Sequence, residues 1–291
     1  RSRIRDCETR PTRPQGGLMT TMAASAQGEN MGESTTAHPD GWWQDDDPAS
    51  AYRKYQRMHS SVTNRSKAAI TENLLSNYDW TGKRVLEYGC GGGHFTIWMA
   101  KQGADVWAVE RNPKAVALVN YAAEKEGVAE RVHVIEGNAE VEGVPGDYDF
   151  IFAKDLIEHL DDDGPFLERI SEQLRPGGHV FLATQNDRCL NYWIEGNFEK
   201  YVRGDKQWMG WDRTHYRFYN PRSLKEKLNR VGIAPERWGS SYLVPWRFLT
   251  KRLTGKARPW EAWLSLDRAL GTKAPFSKFG WSIMVIGRKA G

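Results

Sequence analysis

The stretch Val85-Leu86-Glu87-Tyr88-Gly89-Cys90-Gly91-Gly92-Gly93 decides the fold of this chain. Its first two residues end a predicted buried strand, and a helix is predicted to begin directly after it, at His94. Glycine tolerates positive φ and carries no side chain, so a ligand can approach the backbone of this turn closely. The free N–H groups at the start of the helix would face that ligand. The stretch therefore predicts a strand–turn–helix unit that binds a small ligand at its turn.

Apolar runs and helical patterns alternate along the chain after this turn. Helical patterns occupy residues 94–102 and 113–126, and a third helix is predicted to end at Leu174-Arg175-Pro176-Gly177-Gly178. Further strands are predicted at residues 105–109, 132–135, 148–153, from 179 to 183 and at 283–286. Strands that alternate with helices predict a parallel, doubly wound α/β sheet with helices on both faces. Such a sheet binds its ligand at the carboxyl ends of the strands.

The motifs, taken in order, resemble those of class I S-adenosylmethionine (SAM)-dependent methyltransferases. A glycine turn alone fits a Rossmann NAD site equally well, but here the spacing is Glu-x-Gly-x-Gly-x-Gly, with Glu87 two residues before the first glycine. Glu110 follows 23 residues later, Asn138-Ala139 follows the third strand, and Leu-Arg-Pro-Gly-Gly precedes the fifth. The resemblance covers about residues 60–290 and implies a Rossmann-like fold with a mostly parallel, seven-stranded sheet.

The resemblance also assigns residues to SAM. The turn would hold the amino-acid end of SAM, and the Glu110 carboxylate would accept hydrogen bonds from both ribose hydroxyls. Asn138 stands where the family usually has Asp beside adenine, and its carbonyl still accepts from an exocyclic amine. The cofactor residues that the resemblance implies are Arg65, Glu87, Gly89, Cys90, Gly91, Gly93, Glu110, Arg111, Asn138, Ala139 and Lys154.

Composition limits the classes of function. The chain has 291 residues and a net charge of +4, a weak basic bias that does not indicate nucleic-acid binding. Its three cysteines are widely spaced and form no disulfide or metal pattern, which predicts a reducing compartment, the cytoplasm. No apolar run reaches the ~18 residues that a membrane span needs.

Composition also divides the chain into segments. Residues 1–41 are poor in large apolar side chains and are predicted to be disordered. Residues 42–80 are predicted to form a helical lid, as in related small-molecule methyltransferases, and residues 81–291 to form the SAM-binding domain. Two insertions are predicted in that domain, at about residues 186–220 and 245–280.

Arg65 lies in the predicted lid. The bacterial ubiquinone O-methyltransferases carry an Arg in this region that meets the SAM carboxylate, so the resemblance makes Arg65 the matching candidate. A surface arginine on an amphipathic helix is the alternative. Trp42 and Trp43 are predicted to pack the lid rather than stack on a ligand, and Cys90 is predicted to be a small residue that fits the turn, not a nucleophile.

The segment Asp155-Leu156-Ile157-Glu158-His159 follows the fourth strand and should lie at the ligand edge of the sheet. Three interpretations stay open. The segment only shapes the SAM pocket, or His159 or Asp155 is a general base, or Asp155, Glu158 and His159 bind Mg²⁺ or Mn²⁺. The third resembles the Glu-x-x-Glu-His metal site of ubiquinone O-methyltransferases and of the plant small-RNA 2′-O-methyltransferase, with His215 as the distant ligand. Metal binding is not favoured, because Asp has a shorter arm than the first Glu of that pattern.

Nine aromatic side chains fall in the first insertion, between residues 192 and 219. They predict either an enclosed substrate pocket or a small satellite core. Residues 212–224 resemble a D-x-T-H-x-R-F-x-x-P-x-S-L block that many small-molecule methyltransferases of this class carry. His215 in this block is a candidate base or metal ligand, and a buried, hydrogen-bonded structural His is the alternative.

Residues 245–253 in the second insertion predict an amphipathic helix with Trp246, Leu249 and Leu253 on one face. Basic side chains surround it, up to Arg258. Such a helix can rest on an anionic membrane, which makes residues 245–258 a candidate for peripheral membrane contact. It can equally pack on the domain as a cap, and the cap is the favoured interpretation.

These observations predict a SAM-dependent methyltransferase that acts on an O, N or S atom of a small molecule. The catalytic candidates are His159, His215 and Asp155. Two alternatives belong to other classes: a metal-assisted RNA 2′-O-methyltransferase, against which the weak net charge counts, and a nucleotide-binding protein without methyl transfer. The glycine spacing disfavours NAD as the nucleotide.

Overall fold

The structure, a computed structural model, describes residues 41–140, 144–210, 212, 214–256 and 260–291. The prediction of disorder for residues 1–41 therefore falls, apart from Gly41, outside the described residues. Trp211 of the first insertion and Arg258 of the second also lie outside them.

The described residues form an α/β fold. Its strands are β1 (Arg84–Tyr88), β2 (Asp105–Glu110), β3 (Val132–Glu136), β4 (Tyr148–Lys154), β5 (Leu174–Gln185), β6 (Ile233–Ser241) and β7 (Ser282–Lys289). Its α-helices are α1 (Pro48–His59), α2 (Val62–Leu75), α3 (His94–Lys101), α4 (Pro113–Lys125), α5 (Asp163–Gln173), α6 (Pro221–Arg230), α7 (Trp246–Thr254) and α8 (Glu261–Leu270).

The seven strands form one sheet in the order β3-β2-β1-β4-β5-β7-β6. β7 runs antiparallel to β5 and β6, and the other neighbouring pairs are parallel. The mostly parallel, doubly wound Rossmann-like sheet is therefore confirmed. β6 is not among the predicted strands, because Pro235 and Gly239 interrupt any apolar alternation in it.

Two hydrophobic cores cover the two faces of the sheet. Val85, Phe150 and Phe152 point into the core that α2, α3 and α4 share, whereas Leu86 and Ile151 point into the core under α5 and α6. All five side chains are fully buried. Successive residues of a strand face opposite sides, so strands covered on both faces appear as continuous apolar runs.

The predicted lid is helical, but its two helices differ in surroundings. Asp47 caps α1, where its carboxylate accepts hydrogen bonds from two backbone N–H groups, and Tyr55 of α1 packs in a small cluster with Leu118 of α4. α2 instead buries Ile70 and Leu74 in the first sheet core. Only α1 and the short 3₁₀ helix before it therefore lie outside the main cores.

The two insertions share a third hydrophobic cluster. Its buried members are Cys189, Trp208, Tyr242, Trp246, Leu264 and Trp281. Tyr192, Trp208 and Phe218 of the first insertion thus contribute to a satellite core. Trp193, Tyr201 and Tyr216 remain exposed. α7 buries Trp246 and Thr250, as a packed cap does, while Leu253, predicted on the same face as Trp246, is 70% exposed.

None of the described helices is both long enough and apolar enough to cross a bilayer.

Substitution of Gly93 should destabilise the fold more than substitution of a glycine in open space. Gly93 has φ +79°, and a Cβ there would lie 2.9 Å from a Val119 methyl group. Gly127 has a similar φ of +70° with no atom within 4 Å of its Cβ position. Both alanine variants incur the left-handed cost of about 1–2 kcal/mol. We expect Gly93→Ala to lose about 1–3 kcal/mol more, from overpacking, in urea denaturation. Equal losses of stability in the two variants would show that the Val119 side chain moves aside without cost.

Candidate active site

The glycine turn between β1 and α3 has the backbone that its sequence requires. Gly89, Gly91 and Gly93 have φ of +70°, +53° and +79°, values that side-chain-bearing residues rarely adopt. The N–H groups of Gly89 and Cys90 both donate to the Val109 carbonyl, at 2.8 and 3.3 Å. These bonds tie the turn to the end of β2.

Glu110 ends β2 and reaches this turn. Its carboxylate oxygens accept hydrogen bonds from the Gly91 N–H at 2.9 Å and from the Asn112 N–H at 3.0 Å. The carboxylate is therefore held in place beside the turn by two backbone groups. An oriented carboxylate keeps further lone pairs for hydroxyl donors.

Glu87 and Cys90 are both buried near the turn. The Thr96 hydroxyl donates to Glu87 at 2.5 Å, but burial dominates and raises the pKa of Glu87 to about 8. Burial also raises the pKa of the Cys90 thiol. A thiol with a raised pKa is a poor nucleophile, which agrees with the prediction that Cys90 only fits the turn.

The remaining predicted cofactor residues on the β2 and β3 side lie near the same edge of the sheet. Arg111 and Asn138 are exposed and Ala139 is buried. The Asn138 side chain accepts a hydrogen bond from the Glu140 N–H at 2.9 Å. Asn138-Ala139 follows the end of β3, and Glu110 lies at the end of β2. Because β2 and β3 are paired, the two sites are neighbours along the carboxyl edge of the sheet.

A cavity of about 130 Å³ lies on the other side of the turn. α1, α2, the start of α3 and the end of β4 form its walls, and its lining residues are Tyr55, Met58, His59, Asn64, Lys67, Ala68, Phe95 and Lys154. Tyr55 also covers the turn, since a Cβ at Gly92 would lie 2.3 Å from its ring.

Lys67 lines this cavity and Arg65 does not. Arg65 is exposed on α2, so the structure does not bring the predicted carboxylate-binding arginine to the cavity. Lys67, two residues later, was not singled out from the sequence. Its side chain turns inward, and burial lowers its pKa. The helical spacing of the sequence could have identified Lys67, because it lies on the same face of α2 as the buried Ile70 and Leu74.

Asp155 is enclosed by two lysines. The Lys67 ammonium donates to both of its carboxylate oxygens at 2.7 and 2.6 Å, and the Lys154 ammonium donates to one of them at 2.8 Å. Burial opposes ionisation of Asp155, yet the charges of Lys154 and Lys67 outweigh burial and hold its pKa below the usual range. A carboxylate with a lowered pKa is a weak base, which disfavours Asp155 among the three catalytic candidates.

Glu158, His159 and His215, which the metal interpretation places at one site, lie close together. One ligand atom from each lies within 4.8 Å of the others, and the two imidazole rings meet edge to face with centroids 4.7 Å apart. Among the described residues Asp155 is not part of this group, because its carboxylate is held by the lysines. The candidate metal-binding set is thus one residue smaller than the sequence pattern suggests.

Hydrogen bonds orient this cluster. The Thr184 hydroxyl donates to Glu158 Oε2 at 2.8 Å, while Glu158 Oε1 is buried with no hydrogen-bond partner. His159 Nδ1 is 3.0 Å from the Thr214 hydroxyl. His215 Nδ1 lies 3.2 Å from the Met209 carbonyl, which can only accept, so Nδ1 carries the proton and Nε2 carries the lone pair.

The cluster can hold a proton or a cation. Burial lowers the pKa of His215, so its Nε2 is a free base at neutral pH. Burial, followed by the charge of Asp155, raises the pKa of Glu158 to about 7. The orphaned Glu158 oxygen and two imidazole nitrogens also fit the donor set of a divalent transition metal better than the all-oxygen set of Mg²⁺. A bound cation would supply Lewis-acid chemistry.

The family model of the methyltransferase domain matches residues 58–236. The chain belongs to this methyltransferase family. The ubiquinone biosynthesis O-methyltransferase of Ralstonia nicotianae is 29% identical over 223 residues, which cover 75% of this chain and 85% of that protein. The corresponding enzyme of Xanthomonas euvesicatoria is 28% identical over 179 residues, or 60% and 73% of the two chains.

Solved structures agree on the fold. The magnesium protoporphyrin IX methyltransferase of Synechocystis, with bound S-adenosylhomocysteine (SAH), superposes with a TM-score of 0.55 over 84% of this chain and 96% of that one, at 13% identity. The protein is therefore a SAM-dependent methyltransferase, as its motifs predict. The family match ends at residue 236, within β6, and so does not cover α7, α8 or β7.

Glu158 should make stability depend on pH. Its folded pKa of about 7 exceeds its ordinary value of 4.5, so folding is favoured while Glu158 is protonated. This contribution to the free energy of unfolding is lost as the pH rises from 4.5 to about 7. Glu158→Gln cannot ionise. We expect the variant to gain stability over the wild type between pH 5 and 8, by at most about 3 kcal/mol, in urea denaturation. The exposed Glu172→Gln on α5 is the control, and a pH-independent difference for Glu158→Gln would contradict the burial argument.

Proposed function

We propose that this protein transfers the SAM methyl group to a hydroxyl oxygen of a small molecule. The observation that carries the proposal is the Glu158–His159–His215 cluster at the carboxyl edge of the sheet, in which Glu158 and His215 are buried, His159 is half-buried and His215 Nε2 carries a lone pair. A hydroxyl must lose its proton when it is methylated, whereas a thiolate needs no base. The O-methyltransferase activity named for the Ralstonia and Xanthomonas relatives supports this choice.

The cofactor is proposed to lie along the carboxyl edge of the sheet. Asn138-Ala139 would contact adenine, Glu110 the ribose, and the glycine turn the amino-acid end. The order β3-β2-β1 supports this line, because those groups follow three neighbouring strands in the same sequence. The backbone N–H groups that hold Glu110 aim its carboxylate without using all of its lone pairs.

Loss of Glu110 should weaken cofactor binding. We expect Glu110→Ala to lower SAH affinity by about 1.5–3 kcal/mol, the value of hydrogen bonds to a charged group, in calorimetry. Glu136→Ala is a matched control, because Glu136 ends β3, pairs in register with Glu110 and is exposed. Unchanged affinity in a folded Glu110→Ala variant would remove Glu110 from the cofactor site.

His215 is the favoured base of the proposed reaction. The acceptor oxygen attacks the methyl carbon, the bond from that carbon to the SAM sulfur breaks, and SAH leaves as the neutral thioether. The hydroxyl proton passes to His215 Nε2, whose lone pair is free because Nδ1 binds the Met209 carbonyl. The neighbouring Glu158 carboxylate would stabilise the imidazolium that forms. Alignment of the two reactants along this edge would supply further rate acceleration.

His215→Ala should slow turnover about 10²–10⁴-fold while SAH still binds. His133→Ala is the control, because His133 is an exposed imidazole on β3. Because burial lowers the pKa of His215, wild-type activity should persist into mildly acidic solution and fall only once the imidazole is protonated. Normal turnover of His215→Ala would leave positioning as the source of catalysis.

A chelator separates the base from the metal interpretation of the same cluster. If His215 acts as a base alone, EDTA leaves turnover unchanged. If the cluster holds a cation, EDTA abolishes turnover, an added divalent metal restores it, and His159→Ala behaves like His215→Ala. Unchanged turnover in EDTA supports His215 as the base. Loss of turnover in EDTA contradicts it, because a metal-bound imidazole has no lone pair left for the acceptor proton.

The acceptor itself can be found directly. The protein is incubated with methyl-labelled SAM and a metabolite extract, and labelled products are identified by mass spectrometry. A methyl ether among the products supports O-transfer, and a labelled amine or thioether refutes it.

The proposal includes a cytoplasmic location, which the two described cysteines support, since Cys90 and Cys189 are buried free thiols.

A further inference from the structure

We propose that Lys67 and Lys154, held in place by Asp155, form a carboxylate-binding subsite for the amino-acid end of SAM. This inference rests on the proposed placement of SAM along the sheet edge. It assigns the carboxylate to side chains other than Arg65, the residue that the family resemblance implies. Lys67 and Lys154 thereby become specificity-determining residues, and Asp155 a positioning residue.

The position of the cavity supports the subsite. In the sheet order β3-β2-β1-β4, Glu110 ends β2, the glycine turn follows β1, and Lys154 ends β4. Neighbouring strands are about 4.8 Å apart, so a ligand with its ribose at Glu110 crosses the turn and next reaches Lys154. The cavity lies there, and Tyr55 belongs to both its wall and the cover of the turn.

The charged groups around the cavity have one positive charge in excess, which one more anion would balance. Two ammonium groups face one carboxylate, that of Asp155, which lies behind them rather than in the cavity lining. The other lining residues carry no acid. His59 adds no charge at neutral pH, because burial, then His94 and Lys154, lower its pKa to about 4. A ligand carboxylate would therefore balance the two lysines.

The nearby acid Glu87, outside the lining, does not supply this balance. Burial raises the pKa of Glu87 to about 8, so Glu87 is largely protonated at neutral pH. Burial also lowers the pKa of Lys67, and a second anion beside the ammonium would favour its charged form.

Asp155 preorganises the two lysines. It has a φ of +53°, a left-handed conformation that residues with a side chain rarely adopt. Its carboxylate holds Lys67 of α2 and Lys154 of β4 with three hydrogen bonds of 2.6 to 2.8 Å. Fixed donors lose less entropy when a ligand binds than mobile lysines do, which gives the strained residue a role.

Two ligands isolate this subsite. SAH contains the amino-acid end, and 5′-methylthioadenosine contains the same adenosine and sulfur without it. Calorimetry measures both affinities for the wild type, Lys67→Met, Lys67→Arg and Arg65→Met. We expect Lys67→Met to weaken SAH about 10- to 100-fold and to leave 5′-methylthioadenosine unchanged. Lys67→Arg should retain SAH within a few-fold, and Arg65→Met should retain both ligands.

Other outcomes overturn the proposal. Unchanged SAH affinity in Lys67→Met, or an equal loss for both ligands, would show that Lys67 does not read the carboxylate. A selective loss of SAH in Arg65→Met would return the role to Arg65. If Lys67→Met does not fold, Lys154→Met provides the same comparison. If the wild type binds neither ligand, the cofactor placement under the proposed function fails, whereas selective failures of the lysine variants refute only the subsite.

Discussion

The left-handed backbone of the turn after β1 is the constraint on which the rest of the structure depends. Gly89, Gly91 and Gly93 adopt positive φ, and two N–H groups of the turn converge on the Val109 carbonyl. This arrangement leaves no space for side chains: Val119 lies against Gly93, and the Tyr55 ring lies against Gly92. The turn therefore sets where α3 begins, where α1 packs and where the edge of the sheet stays open.

The functional chemistry follows from polar groups placed along that edge. Buried polar groups are costly unless they are paired, and here most are paired in a directed way. Backbone N–H groups aim Glu110, two lysines enclose Asp155, and Thr184 orients Glu158. What these bonds leave open defines the site: lone pairs on Glu110, a buried oxygen of Glu158 and a net positive cavity. We propose that this pairing gives the edge distinct regions for the sugar, the proton and the carboxylate.

Sequence reasoning succeeded where the signal was local. The glycine turn, β1 to β5 and the last strand all carry continuous apolar runs or fixed motifs, so the fold follows from them. β6 was missed because Pro235 and Gly239 break its pattern, and pairing with β7 supplies what the pattern lacks. The aromatic residues of the first insertion were ambiguous, since a pocket and a core require the same side chains. Packing of Trp208 against Trp281 places some of them in a core, whereas Trp193 and Tyr201 stay exposed.

The sequence by itself determined the family, the glycine turn and the segments that end at the carboxyl edge of the sheet. Backbone sterics and side-chain periodicity act between near neighbours, so a local stretch of sequence is enough to specify them. Only the tertiary structure decided which charged side chains meet. Lys67 and Asp155 are 88 residues apart in sequence, and no local rule pairs them. Arg65 and Lys67 differ by two residues, about 200° around a helix with 3.6 residues per turn. Once Ile70 and Leu74 pack on the sheet, Lys67 turns into the cavity and Arg65 turns to solvent.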